Sequence, residues 1–317
     1  MLAIRTEDLT KDFAVGFWRP RPYRVLDKLN LEVGQGDVFG FLGPNGAGKT
    51  TTLKLLMQLL FPTSGRAEIL GRPAGDVEVK KRIGYLPESP YFYDYLTAEE
   101  LLGYFAGLFG YRGQERDARV SRLLDEVGIG NERRLQLRRF SKGMLQRVGI
   151  AQALINDPEV VFFDEPMSGL DPLGRREVRN LILALRDRGA TVFFSSHVLS
   201  DAETLCSRVA ILAGGRLVAS GAIADIHAFQ VHGWELVVSS LSPPLLETVR
   251  QRVTRATPIS DGRYTLDLPL DPPPERVLDE LIKGGARLVS LNPMRRTLED
   301  FFVERVTHEP NTRVVDI

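Results

Sequence analysis

An α/β fold, with a mixed sheet, an antiparallel β portion, an α-helical insertion and a small C-terminal α+β unit, follows from three features of the sequence. Short continuous apolar runs at 160–163 and 191–195 flank an amphipathic stretch at 174–188, the pattern of buried parallel strands joined by a crossover helix. The apolar segment 37–42 runs into a glycine-rich turn, after which Leu53, Leu56, Met57 and Leu60 recur at helical spacing. Between residues 89 and 157 the pattern is helical, clearest over 96–108 and 120–127.

The remaining elements fit around these. Ahead of the turn, strands are expected at 3–4, 23–25 and 29–33, and Pro62 with Gly65 closes the helix that begins at Thr50. Residues 210–212 and 216–219 read as a hairpin about Gly214-Gly215. A boundary near 222–232 divides the chain into residues 1–222 and 223–317. The second part alternates a strand at 234–239, a helix after Pro243-Pro244, a strand at 264–268, a helix at 274–283, a strand at 287–291 and a helix at 298–306, an order that suits a ferredoxin-like arrangement.

Composition narrows the function. The chain has 317 residues, 43% hydrophobic and 26% charged, enough for a sizeable core. Lys plus Arg and Asp plus Glu both total 41, so no global field draws the protein onto nucleic acid, and none is expected as a partner. The single cysteine, Cys206, excludes an internal disulfide framework. The N-terminus lacks the apolar run of a secretory signal, and the longest apolar stretch, 101–111, is far short of the roughly 18 to 20 residues that span a bilayer. A cytoplasmic location is expected, and any membrane spanning falls to another chain.

Gly43, Pro44, Asn45, Gly46, Ala47, Gly48, Lys49 and Thr50, followed by Thr51, fit G-x-x-x-x-G-K-[ST] between a strand and a helix. In such a loop glycines let successive backbone N–H groups converge on phosphate oxygens. Lys49 neutralises phosphate charge, and the Thr50 hydroxyl is placed for Mg²⁺. A second apolar strand ends in Asp164 and Glu165, at the carboxyl edge of the sheet where nucleotide sites lie. Asp164 is the expected metal residue. Glu165, one step on, is the expected general base, because a group that must take a proton is poorly used as a metal ligand. Together these motifs form a P-loop NTPase cassette that binds ATP and Mg²⁺.

Over residues 1–222 the chain resembles the ATP-binding subunit of ATP-binding-cassette (ABC) transporters. Ser141, Lys142, Gly143 and Met144 sit where that family has its Leu-Ser-Gly-Gly-Gln signature, Ser168 to Asp171 looks like its D-loop, and His197 looks like its switch histidine. The resemblance implies two chains closing head to tail on two ATP molecules. In that arrangement Ser141 to Met144 of one chain face the γ-phosphate held by the other, and Asp171 and His197 join the site. Phe13 is similar to the aromatic that stacks on adenine. Glu88 stands where the family has a Mg²⁺-associated Gln, and it adds charge while losing an amide donor. The Ser-Lys-Gly-Met variant and the Pro87-Glu88 pair resemble ABC-2-type exporter subunits. That implies transport-coupled ATP hydrolysis, integral membrane permease partners and peripheral attachment to the cytoplasmic side of the cell membrane. A cassette ATPase acting on ribosomes or DNA is the rival. Residues 14–24, rich in aromatic and basic side chains, read as a long loop that either is simply solvated or covers the adenine or meets the membrane or its partner.

Overall fold

The structure, a computed structural model, describes residues 1–16, 18, 21–224, 231–295 and 315–316. The chain divides into two units, Met1–Ile223 with Arg305–Ile317, and Ala224–Glu304.

In the first unit, β1 (Leu2–Val15) and β2 (Arg21–Gly34) form an antiparallel hairpin, and β4 (Ser64–Ile69) and β5 (Arg72–Pro73) complete a four-stranded sheet in the order β2-β1-β4-β5. Between them lie β3 (Val38–Leu42) and α1 (Lys49–Leu56). The chain continues through α2 (Val77–Lys80) and β6 (Ile83–Leu86) into the helical insertion, α3 (Ala98–Leu108), α4 (Gly113–Glu126) and α5 (Lys142–Ala153). It returns as β7 (Val160–Asp164), α6 (Pro172–Asp187), β8 (Thr191–Ser196), α7 (Leu199–Leu205) and the hairpin β9 (Arg208–Ala213) and β10 (Arg216–Ala222).

The central sheet runs β15-β10-β9-β3-β8-β7-β6, where β15 is Val315–Asp316. Strands β9, β3, β8, β7 and β6 are mutually parallel. Every residue of β3, β7 and β8 is buried, which is why these segments read as unbroken apolar runs rather than alternating ones. Phe193 is the hub of one face: its ring centroid lies 5.6 Å from Phe39, 5.3 Å from Phe41 and 5.8 Å from Phe162. The register pairs Leu42 with Ser196 and Asp164 with Ser195, so the residues following β3, β7 and β8 emerge together at one edge.

Two local expectations change. Residues 14–24 are not one loop: the register Phe13↔Tyr23, Ala14↔Pro22 and Val15↔Arg21 continues the hairpin almost to its tip. Its base is pinned by Arg24, which donates to Asp12 at 2.8 Å and to Asp27 at 3.0 Å. Residues 83–86, for which no strand is expected above, form β6 at the sheet edge. A Cβ on Gly84 would lie 2.0 Å from the Ala153 carbonyl oxygen, so only glycine lets α5 pack this closely.

The second unit is a four-stranded antiparallel sheet ordered β12-β13-β11-β14, from β11 (Val231–Ser239), β12 (Arg255–Ser260), β13 (Arg263–Pro269) and β14 (Arg287–Arg295). Helices Pro243–Val249 and Pro274–Lys283 sit at the two crossovers, so the order is that of a split βαβ motif. Its core gathers Leu236, Val238, Leu266, Val277 and Leu281. The helix expected at 298–306 lies outside the described residues.

Candidate functional site

The loop after β3 bends through positive φ at Gly46 (81°) and Gly48 (107°), values that favour glycine. Space above Gly46 is open, since a Cβ there would meet nothing within 4 Å, while one on Gly48 would lie 2.9 Å from the Val25 carbonyl oxygen. Among the described residues, the backbone N–H groups of Asn45, Gly46 and Gly48 through Thr51 have no hydrogen-bond acceptor. Several are first-turn amides of α1, unsatisfied by helix geometry. The buried Lys49 ammonium folds back over this loop, donating to the Gly43 carbonyl at 2.8 Å and the Pro44 carbonyl at 3.3 Å. A concentration of unspent donors around one buried cation fits a polyanion such as the phosphates of ATP.

Beside it, Thr50 Oγ1 donates to Asp164 Oδ1 at 3.2 Å, and Ser195 Oγ donates to the same oxygen at 2.6 Å. The pair Thr50 and Asp164 offers the hard oxygen donors that suit Mg²⁺. Burial holds the Asp164 carboxyl above the ordinary carboxylate range, opposed by the hydrogen bonds from Ser195 and Thr50 and by the Lys49 charge. The Tyr85 hydroxyl is pushed up to about 12 by burial and by the Asp164 charge, so it stays neutral.

Glu165 follows Asp164 with a φ of 49°, an uncommon backbone state for a residue with a side chain. Its amide donates to Ser195 Oγ at 3.0 Å, so one serine fixes both acids. Its carboxylate is buried between two groups: Lys49 Nζ lies 3.3 Å from Oε1, and His197 Nδ1 lies 2.8 Å from Oε2. The half-exposed imidazole thus bridges solvent and a buried carboxylate. The ends of β3, β7 and β8 thus bring cation, acid and histidine together.

Other expected residues stand apart. Ser141 caps α5, accepting from the Met144 amide at 3.2 Å, and Asp171 caps α6, accepting from the Gly174 amide at 2.8 Å. No hydrogen bond or ion pair joins residues 141–144 to the Lys49–Glu165 pair among the described residues. Instead they adjoin the 168–171 segment, where a Cβ on Gly169 would lie 2.2 Å from Lys142 Nζ and one on Gly143 would lie 3.8 Å from Leu170. Phe13 is half-buried on the hairpin, with Lys11 Nζ 5.1 Å from its ring centroid. Glu88 is exposed just beyond β6, and no cluster of three His, Cys, Asp or Glu groups converges on a metal position among the described residues. Ser195, which anchors both acids, was missed by the sequence reading. Its signal was a pair of serines ending an otherwise apolar buried strand.

The ABC transporter family profile matches residues 26–168. An uncharacterized ABC transporter ATP-binding protein of Synechocystis, sll0415, is 45% identical over 96% of this chain and 84% of its own length. The bacitracin transport ATP-binding protein BcrA of Bacillus licheniformis is 43% identical over 68% of each chain. Among solved structures, the ATP-binding cassette MJ0796, in a dimeric post-hydrolysis state with ADP and Pi, matches with a TM-score of 0.63 at 26% identity, covering 69% of this chain and 98% of that one. No helix among the described residues is long and apolar enough to cross a membrane. The chain belongs to the ABC transporter family as an ATP-binding subunit whose ATPase activity is coupled to transport.

Proposed function

We propose that the chain is the ATP-hydrolysing subunit of an ABC-2-type exporter. It works as a homodimer, or with a paralogous ATPase subunit, attached to permease chains on the cytoplasmic side of the cell membrane. The observation that carries this reading is the Glu165 carboxylate, held 3.3 Å from Lys49 and 2.8 Å from His197 beside the Thr50–Asp164 pair. Residues 43–51 hold the phosphates through the unsatisfied amides, and Lys49 meets the β- and γ-phosphates. Phe13 packs on the adenine. Thr50 and Asp164 would hold Mg²⁺, with Glu88 as a further carboxylate of that site, and the ion would offset phosphate charge. Glu165 takes the proton of the attacking water, and His197 keeps the carboxylate aimed and contacts the γ-phosphate. Positioning and electrostatics do most of the work in such a reaction.

A surface helix terminus at Ser141, with no hydrogen bond or ion pair to its own chain's Lys49 among the described residues, supports a site completed by a second copy. The Ser141 oxygen accepts from its own helix, which leaves its O–H and the α5 amides to face a partner's phosphate together with Lys142, Gly143 and Met144. Asp171, adjoining the same segment, lies at that interface. The permease coupling and export direction draw support from the bacitracin transport relative and the Ser-Lys-Gly-Met sequence.

Affinity purification from detergent-solubilised native membranes tests the assignment. A multi-span hydrophobic chain in stoichiometric amount is the expected companion. Recovery of ribosomes or DNA instead, with no membrane chain, would move the protein to the rival class.

A further inference from the structure

Asp201 is a buried carboxylate that the proposed chemistry does not use. It lies in the first turn of α7, four residues after His197, and is 4% exposed. Its charged neighbours are on α6: Arg175 Nη1 at 3.9 Å and Arg179 Nη2 at 3.8 Å. Both separations exceed hydrogen-bonding distance, and Arg179 Nε is a buried donor with no partner among the described residues. Buried charged groups ordinarily make such bonds, so an ion cluster left this open calls for a reason.

The surroundings supply one. Helix α6 starts at the Asp171 cap, directly after the 168–171 segment that touches Lys142 and Gly143. The same helix reaches α5 through Glu177, 3.4 Å from Arg147. It therefore contacts the helix headed by Ser141 on one side and the helix that follows His197 on the other. Asp201 is also within electrostatic reach of the site: burial raises its carboxyl above the ordinary range, Arg175 and Arg179 oppose this, the Glu165 charge adds to it and His197 opposes it.

We propose that Asp201 is a positioning residue: its pairing with Arg175 and Arg179 ties α7, and with it His197, to the α6 strut, and the pairing tightens when the site closes on ATP. A relative shift of about 1 Å between α6 and α7 would bring Asp201 and Arg179 to charge-assisted hydrogen-bonding distance. Engagement of residues 141–144 and 168–171 with a second chain would then be felt at His197. The inference rests on the roles given above to Glu165 and His197.

The test measures steady-state ATP hydrolysis by the full chain carrying Asp201→Asn, Asp201→Glu or Arg179→Gln, with melting temperatures alongside. Asp201→Asn should lower kcat about tenfold while KM for ATP stays within about twofold, and Asp201→Glu should recover much of the loss. The Arg179→Gln loss should not add to that of Asp201→Asn, and in a His197→Ala background Asp201→Asn should change the residual rate little. A merely structural role predicts otherwise: losses that track melting temperature, that add, or that persist without His197. Any of those results, or a kcat within twofold of wild type, overturns the inference. If Asp201→Asn fails to fold, Arg179→Gln, at a side chain 32% exposed, carries the same comparison. Failure of the underlying reading would show separately, as normal turnover in Glu165→Gln. An inactive Glu165→Gln beside a fully active Asp201→Asn removes the Asp201 inference alone.

Discussion

Glu165→Gln should cut ATP turnover by roughly 10² to 10⁴-fold, the range general-base catalysis supplies, while ATP binding persists. The amide is nearly isosteric, so the position between Lys49 and His197 is retained while the basic oxygen is lost. Removing a negative charge beside the phosphates also favours binding of the anionic nucleotide, which pulls binding and turnover in opposite directions. Single-turnover hydrolysis and equilibrium binding of labelled ATP, measured on the same preparation, separate the two. Turnover within threefold of wild type would take Glu165 out of the proton-accepting role.

The second large effect is on binding. Lys49→Ala removes the buried cation that lies over the phosphate loop and leaves the loop amides in place. Hydrogen bonds to charged groups contribute about 1.5 to 3 kcal/mol, so the dissociation constant for ATP should rise by roughly 10- to 100-fold. The substitution also strips the buried Glu165 carboxylate of its cationic neighbour, whose Nζ is 3.3 Å away. An uncompensated buried charge is destabilising, so a lower melting temperature without nucleotide should accompany the loss. Isothermal titration with ATP checks the first effect and a thermal melt the second. Unaltered affinity in a folded variant would show that the cradle assignment is wrong.

Lys49 and Thr50 were legible from the glycine-rich motif and His197 from the family pattern, while Asp164 and Glu165 stood out because buried parallel strands are apolar throughout and a polar residue at their carboxyl ends is conspicuous. The same logic fails where burial is partial. Strand β12, with five of its six residues exposed, carries no apolar alternation and was not anticipated. Strand β6 is only four residues long and is interrupted by Gly84, which weakens its apolar pattern, yet that glycine is needed for close packing against α5. The β1–β2 extension was hidden by Gly16, Pro20 and Pro22, which suggest a loop. Paired residues and the Arg24 ion pairs instead keep the ribbon extended.

Side-chain partnerships were less visible still. The serine pair that ends β8 hints at a polar task for Ser195 but does not name its partners, which lie at the end of β7 about thirty residues away in sequence. Asp171 and Ser141 were read from the family pattern as phosphate-site residues, and what the structure gives both is a helix-capping bond. A short polar residue ahead of a helix suits both tasks, since a cap leaves the terminal amides facing outward. Asp201 was overlooked because an acid in the first turn of a helix is ordinarily explained by the helix dipole. Only its burial against Arg175 and Arg179 distinguishes it.

The central claim is that one chain holds half a site and a second copy completes it. Sedimentation equilibrium of Glu165→Gln with excess MgATP tests that claim most directly, with bound nucleotide counted in the same sample. The account predicts a dimer carrying two ATP molecules that reverts to monomer when Ser141 is also replaced by Arg. A monomer fully loaded with ATP would contradict it.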